Sequence, residues 1–243
     1  DGWANERAQL KGLMSPDAFA SAKETSGDKD EPAWRQAKRA TLNSHFTAPA
    51  VVDAHWKAAQ RLGFKGGRYL DPSIGSGYYQ GMMPEELAKT TSVTGLELDH
   101  TTAQVAAKLY PSATVRNQGF EAFQSPDGFF DLVASNVPFG NYTLHEKRYN
   151  RFQAPIHDHF FLKSIDKARP GGLIMHVTST GTLDKPDDRI RKELASKADF
   201  VAAIRLPGKT HGKAANTEVV TDLIILRKHT AAGPAPEETP PEA

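Results

Sequence analysis

Cysteine is absent from the 243 residues. That removes disulfide scaffolds, thiol nucleophiles and every thiolate-held zinc or iron–sulfur centre, and it fits a reducing, cytoplasmic compartment. Long apolar runs are also missing: no stretch approaches the ~18 residues of a membrane span, and the mean hydropathy is −0.51. Charge of one sign is scarce as well. Thirty Lys and Arg stand against twenty-nine Asp and Glu, a net +1, and the pI of about 8.1 lies under the ~9 that marks an overtly nucleic-acid-binding domain. Neither G-x-x-x-x-G-K-[ST] nor G-x-G-x-x-G occurs, which disfavours nucleoside triphosphates and dinucleotides as ligands. No leader segment opens the chain, and its start at Asp1 rather than Met reads as a segment of a longer protein.

What is present divides into three zones. Residues 1–41 are polar with helical spacing (Trp3, Leu10, Leu13, Phe19) and predict a helical N-terminal extension, interrupted by a charged loop around Gly27–Pro32. The stretch from Lys23 to Lys38 suggests no role. Residues 42–229 hold the strand-like runs and predict the main domain. Residues 230–243 carry Glu237, Glu238 and Glu242, no Lys or Arg, and repeated Pro and Ala, the composition of a disordered linker. Without that tail the body has thirty basic against twenty-six acidic residues, +4, so a polyanion would have to be met by local clusters.

Within the main zone seven short apolar runs predict strands at Arg68–Asp71, Ser92–Leu98, Ala113–Arg116, Phe130–Asn136, Leu173–Thr178, Phe200–Arg205 and Leu223–Leu226. Helix-period segments lie between them, at Ala48–Leu62, Gln80–Lys89, Thr101–Leu109, His157–Ala168 and Asp187–Lys197. Strands alternating with helices imply right-handed crossovers and an α/β, doubly wound, mostly parallel sheet. In such sheets ligands sit at the carboxyl ends of the strands where strand order reverses.

Two segments at such ends carry chemistry. After the first strand comes Asp71-Pro72-Ser73-Ile74-Gly75-Ser76-Gly77, where Gly75 and Gly77 let the backbone approach a ligand and the following helix offers N–H groups to an anion. Asp71 can accept from an ammonium group. Twenty residues beyond Gly77, Glu97 closes Gly95-Leu96-Glu97-Leu98, the place for a carboxylate that takes both hydroxyls of a ribose. The fourth strand runs into Asn136-Val137-Pro138-Phe139. Taken alone, that segment also fits a strand stopped by a turn. Beside a ribose-bearing cofactor it supports a sharper reading, because the exocyclic amine of a planar base becomes nucleophilic when acceptors draw its hydrogens out of conjugation. The Asn136 side-chain oxygen and the Val137 carbonyl supply both acceptors, and Phe139 can stack on the base.

The two segments resemble motifs I and IV of class I, Rossmann-like amino-methyltransferases that use S-adenosylmethionine (AdoMet); Val137 stands where the first proline of N-P-P-F would stand. Asn43-Ser44-His45-Phe46-Thr47-Ala48-Pro49 resembles motif X of N6-adenine DNA methyltransferases, and the order X, I, IV is similar to the gamma arrangement. Gln118-Gly119-Phe120-Glu121, Ile156-His157-Asp158-His159-Phe160-Phe161, Ala168-Arg169-Pro170-Gly171-Gly172, Thr178–Lys185, Ile204–Pro207 and Thr217–Asp222 look like the methyltransferase domain of large phage and plasmid methyltransferase–helicase fusions, antirestriction proteins among them. In that subgroup Asn-Val-Pro-Phe looks like the usual form. The resemblance covers Leu42–Arg227 and implies methyl transfer to adenine N6 of a flipped-out base in DNA, with further domains of the same polypeptide as partners. It assigns Phe46, Thr47, Asp71, Ser73, Gly75, Ser76, Gly77, Glu97, Leu98, Phe120 and Glu121 to AdoMet, the last two aromatic and acidic residues bordering its adenine, and Asn136, Val137, Pro138 and Phe139 to the reacting base. Lys147, Arg148 and Arg151, with Arg205, Lys209 and Lys213, follow strand ends on the presumed ligand side and are the candidate phosphate contacts. The pair His157 and His159 diverges on a helix, so no metal is expected. The rival readings are a protein glutamine-amide methyltransferase and an AdoMet-binding module without activity in a helicase or antirestriction protein.

Overall fold

The computed structural model describes residues 47–206 and 220–230. Phe46, Lys209 and Lys213, the N-terminal extension and the tail lie outside them. Helix α1 (Pro49–Arg61) begins with a proline whose fixed φ suits the first turn and buries Val51, Val52, His55, Trp56 and Ala59 along one face. Then follow β1 (Gly67–Asp71), the single turns α2 (Tyr78–Gly81) and α3 (Glu85–Ala88), β2 (Thr91–Glu97), α4 (His100–Leu109), β3 (Thr114–Asn117) and β4 (Phe130–Asn136). After α5 (Ile156–Lys167) come β5 (Ala168–Ser179), α6 (Gly181–Asp184), α7 (Arg189–Ala195), β6 (Ala198–Leu206) and β7 (Thr221–Lys228).

The strands form one seven-stranded sheet in the order β3-β2-β1-β4-β5-β7-β6. Neighbours from β3 to β5 are parallel, and β7 alone runs antiparallel, between β5 and β6. Successive strands leave β1 in opposite directions, so the switch point lies between β1 and β4. Burial on both faces explains why the central strands read as apolar runs. Val133 and Ile174 face a core built with Phe160, Phe161, Ile165 and Leu194, while Leu132, Ala134, Met175 and Val177 face a second core closed by Val52, Trp56, Tyr79 and Leu87.

The expected helix over Gln80–Lys89 is instead two four-residue turns. Pro84 is the reason: it lacks an N–H, stands outside the helix with ψ at 139° and biases the residue before it away from helical geometry. The helix expected to present N–H groups after Gly77 is therefore only one turn long. Asp99 caps α4 by accepting from the Thr102 N–H at 2.8 Å.

Every residue of α5 is buried, including His157, Asp158, His159, Lys163, Asp166 and Lys167. Its apolar side sits on the sheet and its polar side lies under the chain that links β4 to α5. Lys163 Nζ donates to Glu146 at 2.8 Å, the Tyr149 hydroxyl donates to Asp166 at 2.8 Å and Lys167 Nζ donates to Asp127 at 2.9 Å. Phe161 is fully buried, its ring 5.0 Å from that of His176. Phe161→Ala is expected to cost about 3–5 kcal/mol, read as a lowered urea midpoint at unchanged slope.

Candidate active site

The junction of β1 and β4 is held by a buried carboxylate. Asp71, the last residue of β1, is 1% exposed. The Ser135 hydroxyl donates to its Oδ1 at 2.6 Å and the Ser73 N–H to the same oxygen at 3.1 Å. The Tyr69 hydroxyl lies 3.1 Å from Oδ2 and 3.0 Å from the Ala134 carbonyl, so its one proton is shared between them. Burial outweighs these donors and pushes the carboxyl up to about 6. Ser73 Oγ sits 2.7 Å from Ser135 Oγ and donates to the Asn136 carbonyl at 3.0 Å. The turn after β1 is thereby fastened to the end of β4.

The turn needs its glycines. Gly75 has φ of 56° and Gly77 of 87°, the left-handed region that glycine enters without a Cβ penalty. A Cβ on Gly77 would meet the Tyr110 ring at 2.3 Å, whereas one on Gly75 would find nothing within 4 Å, so the backbone at Gly75 borders open space. The Gly75 N–H donates to Glu97 Oε2 at 3.0 Å and the Asp99 N–H to Oε1 at 2.8 Å. Burial raises the Glu97 carboxyl above its ordinary value despite those donors. Each oxygen retains a lone pair for an incoming hydroxyl.

Asp71, Ser73, Gly75, Gly77 and Glu97 thus come together, with Asn136 across the switch point. Val137 is buried, its N–H donating to the Val177 carbonyl at 3.0 Å, while Asn136, Pro138 and Phe139 are half-buried. Thr47 is buried and hydrogen-bonded to Tyr79, in the turn just after Gly77. Ser76 is exposed and Leu98 is 75% exposed at the end of β2. Glu121 is half-buried. Phe120 departs from the expectation that it borders a ligand: its ring is sealed in the core, 5.0 Å from Phe160 and 5.1 Å from Lys163 Nζ. Phe160, Phe123 with its ring 6.5 Å away, and the Lys163 cation hold it there. Ser135 and Tyr69 escaped the sequence reading. The one trace of Ser135 was a small polar residue after the apolar run Leu132–Ala134 of β4.

The cationic cluster also departs from expectation. Arg148 pairs with Asp127 at 2.5 Å and Asp166 at 2.9 Å, carboxylates that precede β4 and end α5. It therefore lies toward the amino ends of the strands, opposite Asp71 and Asn136. Arg151 pairs with Glu193 of α7 at 3.6 Å, and Lys147 is exposed on the same segment. The cause is the polar face of α5, whose Lys163 and Asp166 draw Glu146 and Tyr149 back along the helix. A cavity of about 360 Å³ beneath this segment is lined by Leu144, Tyr149, Gln153 and His159 among others, and by no residue of the β1 turn or of Asn136–Phe139. Arg205 does lie at a carboxyl end, that of β6, where it bridges Asp222 at 2.9 Å and Asp184 at 2.8 Å. Among the described residues no group of three or more His, Cys, Asp or Glu side chains is placed to hold a metal ion, and no helix is long and apolar enough to cross a membrane.

No protein-family model matches the chain. Over 197 residues it is 29% identical to the protein named Defense against restriction protein B of Escherichia phage P1, a match that takes in 79% of this chain and 8% of that protein. Among solved structures it is similar to a protein described as a class I S-adenosylmethionine-dependent methyltransferase from Listeria monocytogenes, with a TM-score of 0.66, 18% identity, and coverage of 79% of this chain and 64% of that one. A protein described as the modification subunit of a type I restriction enzyme from Vibrio vulnificus gives 0.63 at 19% identity over 78% and 45% of the two chains. A type I restriction-modification methyltransferase subunit from Streptococcus thermophilus gives 0.61 at 22% identity over 74% and 44%. With its 3-2-1-4-5-7-6 strand order and single antiparallel strand, the chain has the Rossmann-like fold of the class I methyltransferases.

Proposed function

We propose that this chain is an AdoMet-dependent methyltransferase domain acting on the N6 amine of adenine in DNA. The observation that carries the reading is the hydrogen-bond chain from Asp71 through Ser135 and Ser73 to the Asn136 carbonyl. It ties the turn after β1 to the end of β4 across the switch point, which supports reading them as a cofactor subsite and a base subsite in one register, as in-line transfer between two bound partners requires.

The residues present fit the cofactor. The open space over Gly75 admits its backbone approach, the Asp71 carboxylate matches its ammonium, and the free lone pairs of Glu97 match its ribose hydroxyls. Thr47 and the residues before it would close the methionine end. When bound, AdoMet supplies an electrophilic methyl group. The chain's own part is to hold the acceptor: the Asn136 amide oxygen and the Val137 carbonyl accept the two amine hydrogens, and Phe139 stacks on the extruded base. The similarity to the phage P1 protein supports an antirestriction setting, and its 8% share of that protein supports further domains beside this one, among which sequence recognition would be found. Residues 42–229 form the methyltransferase unit in this reading, between an N-terminal extension and a linker.

Labelled AdoMet tests the function. Label in DNA, released as N6-methyladenine, supports it; label in a protein glutamine, or none anywhere, overturns it. Glu97→Ala is expected to weaken AdoMet about ten- to a hundredfold, since a hydrogen bond to a charged group is worth roughly 1.5–3 kcal/mol, and calorimetry reads this directly. Asn136→Ala is expected to abolish transfer while AdoMet affinity stays within a few-fold.

A pH dependence follows from Asp71. The carboxyl must be ionised to accept an ammonium group, and its value of about 6 means that protons compete below that. AdoMet affinity is therefore expected to be flat above pH 7 and about tenfold weaker at pH 5. Asp71→Asn is expected to bind more weakly and to lose the dependence, both measured by calorimetry across the range.

A further inference from the structure

The cavity under the excursion between β4 and α5 has no part in the site described so far. It encloses about 360 Å³, within the range of small-molecule sites. Its floor is buried, with Tyr149 4%, Ala154 6% and His159 2% exposed. Its walls are exposed and polar, formed by Thr143, His145, Asn150 and Gln153. The walls are fastened on both sides. Thr143 is bridged to Pro155, the Ile156 N–H donates to the Tyr142 carbonyl at 2.9 Å, and the Glu146 N–H donates to Asn150 Oδ1 at 2.8 Å.

The lining defines its guest by chemistry. The Tyr149 hydroxyl is committed to Asp166, and His159 Nε2 lies 3.0 Å from Glu146 Oε2. What the floor offers is therefore ring surface, the two rings standing at 77° with centroids 5.2 Å apart, an arrangement that takes a flat ring. The walls add the Asn150 amide NH2, the Gln153 carboxamide and the Thr143 hydroxyl, donors and acceptors of the kind that read the edge of a heterocycle. Neither carboxylate nor Lys nor Arg lines the cavity, so it holds no counter-charge for a phosphate, an ammonium or a carboxylate group. A neutral nucleobase meets all three conditions.

Two further observations favour a base carried by a nucleic-acid strand. Gln153 closes the 3₁₀ turn Asn150–Phe152 with φ of 45° and ψ of 39°, and among the described residues it alone of the non-glycines has positive φ. Helix ends of that shape ordinarily carry Gly or Asn, and a longer side chain is held there against strain of the kind that clusters at functional sites. Its carboxamide is the reason to keep it. Basic residues also interleave with the walls: Lys147 is exposed, and Arg151 is 69% exposed with its Glu193 partner 3.6 Å away. Four residues apart, they suit phosphates on either side of an inserted base.

We propose that this cavity receives a second, unstacked base of the substrate DNA, with Gln153 and Asn150 on its edge and Tyr149 and His159 against its ring. The inference rests on the reading of DNA as the substrate. Thr143 follows Phe139 by four residues, at most about 14 Å of chain. The near wall thus lies within about four stacked nucleotide steps of the residues proposed to hold the methylated adenine. The pocket gives this chain a base contact of its own, beside any recognition by further domains.

The test is fluorescence anisotropy with the 243-residue chain, S-adenosylhomocysteine bound, and a labelled single-stranded oligonucleotide with one central adenine between flanks of mixed sequence. An abasic site is stepped through the four positions on each side. One position is expected to cost the wild type about five- to a hundredfold in affinity. Gln153→Gly removes the carboxamide and relaxes the backbone. It is expected to keep its AdoMet affinity and an equal or higher Tm, to bind intact DNA more weakly by the same factor, and to lose nothing further at the sensitive position. Gln153→Asn, shorter and tolerant of the same backbone, takes its place if glycine lowers Tm. Lys147→Ala and Arg151→Ala are each expected to reduce the salt slope of binding by about one. Unchanged DNA affinity in the position-153 variant, losses that add at the sensitive position, or the lack of any sensitive position overturns the proposal. So does adenosine or thymidine binding that Gln153→Gly weakens while DNA binding is unaffected. Binding is read without turnover, so a wild type that fails to methylate DNA strikes the proposed function, whereas methylation beside a variant that binds DNA normally overturns this inference alone.

Discussion

A single carboxylate at the switch point organises this molecule. Asp71 ends β1, is closed off from water, and is gripped by a serine from β4, a tyrosine from its own strand and the backbone of the turn that follows. A carboxyl whose value rises from 3.8 toward 6 on folding binds its proton more readily in the native state than in the unfolded chain. Stability is therefore lost as pH climbs from about 4 to about 6, and at neutral pH the ionised group costs about 3 kcal/mol. A hydrophobic residue there would serve the core better. The turn with Gly75, the hydroxyls of Ser73 and Ser135, and the placement of Asn136 all depend on that charge, so the fold tolerates a local cost at the position where the proposed chemistry needs an ammonium acceptor.

Helix α5 shows the same tension at larger scale. It is buried along its whole length although seven of its twelve residues are polar or ionisable. What allows this is the excursion between β4 and α5, which lays Glu146, Arg148 and Tyr149 over Lys163 and Asp166. Burial holds Lys163 below its ordinary value, and its partners on the excursion hold Glu146 below its own. Removing either partner would leave an uncompensated buried charge, the expensive way to break such a pair. The segment that begins at the proposed base-binding residues is thus anchored at its far end to the core through Glu146 and Tyr149, with Arg148 paired to Asp127 and Asp166.

Much of this was legible in the chain. Alternation of apolar runs with helical periods places all seven strands, β4 without error and β5 five residues short at its start, most clearly at the sheet's centre, where strands buried on both faces have few residues free to be polar. Two glycines, an aspartate and a glutamate at fixed spacing from strand ends mark one half of the proposed site, where backbone approach and ribose recognition would restrict residue type. Asn136–Phe139 marks the other. Illegible were Tyr69, whose hydroxyl reaches Asp71 from two residues earlier on the same strand, Ser135, which reaches it from β4, and Phe120, whose ring turns inward because Phe160 and Lys163, some forty residues on, are waiting for it.

By itself the sequence determined which local segments become strand or helix, where the turns that need glycine fall, and which residue types stand at strand ends, since these depend on periodicity, backbone freedom and composition over a few neighbours. Tertiary structure decided the rest. It set β7 antiparallel between β5 and β6, carried Arg148 and Arg151 to the far end of the sheet, and brought His157 beside the turn that follows β5. Each of these is settled by contacts between residues distant in the chain, and for charged side chains by which buried partner reaches them first. Spacing along a sequence says where a side chain starts, but burial and pairing in three dimensions say what it is free to do.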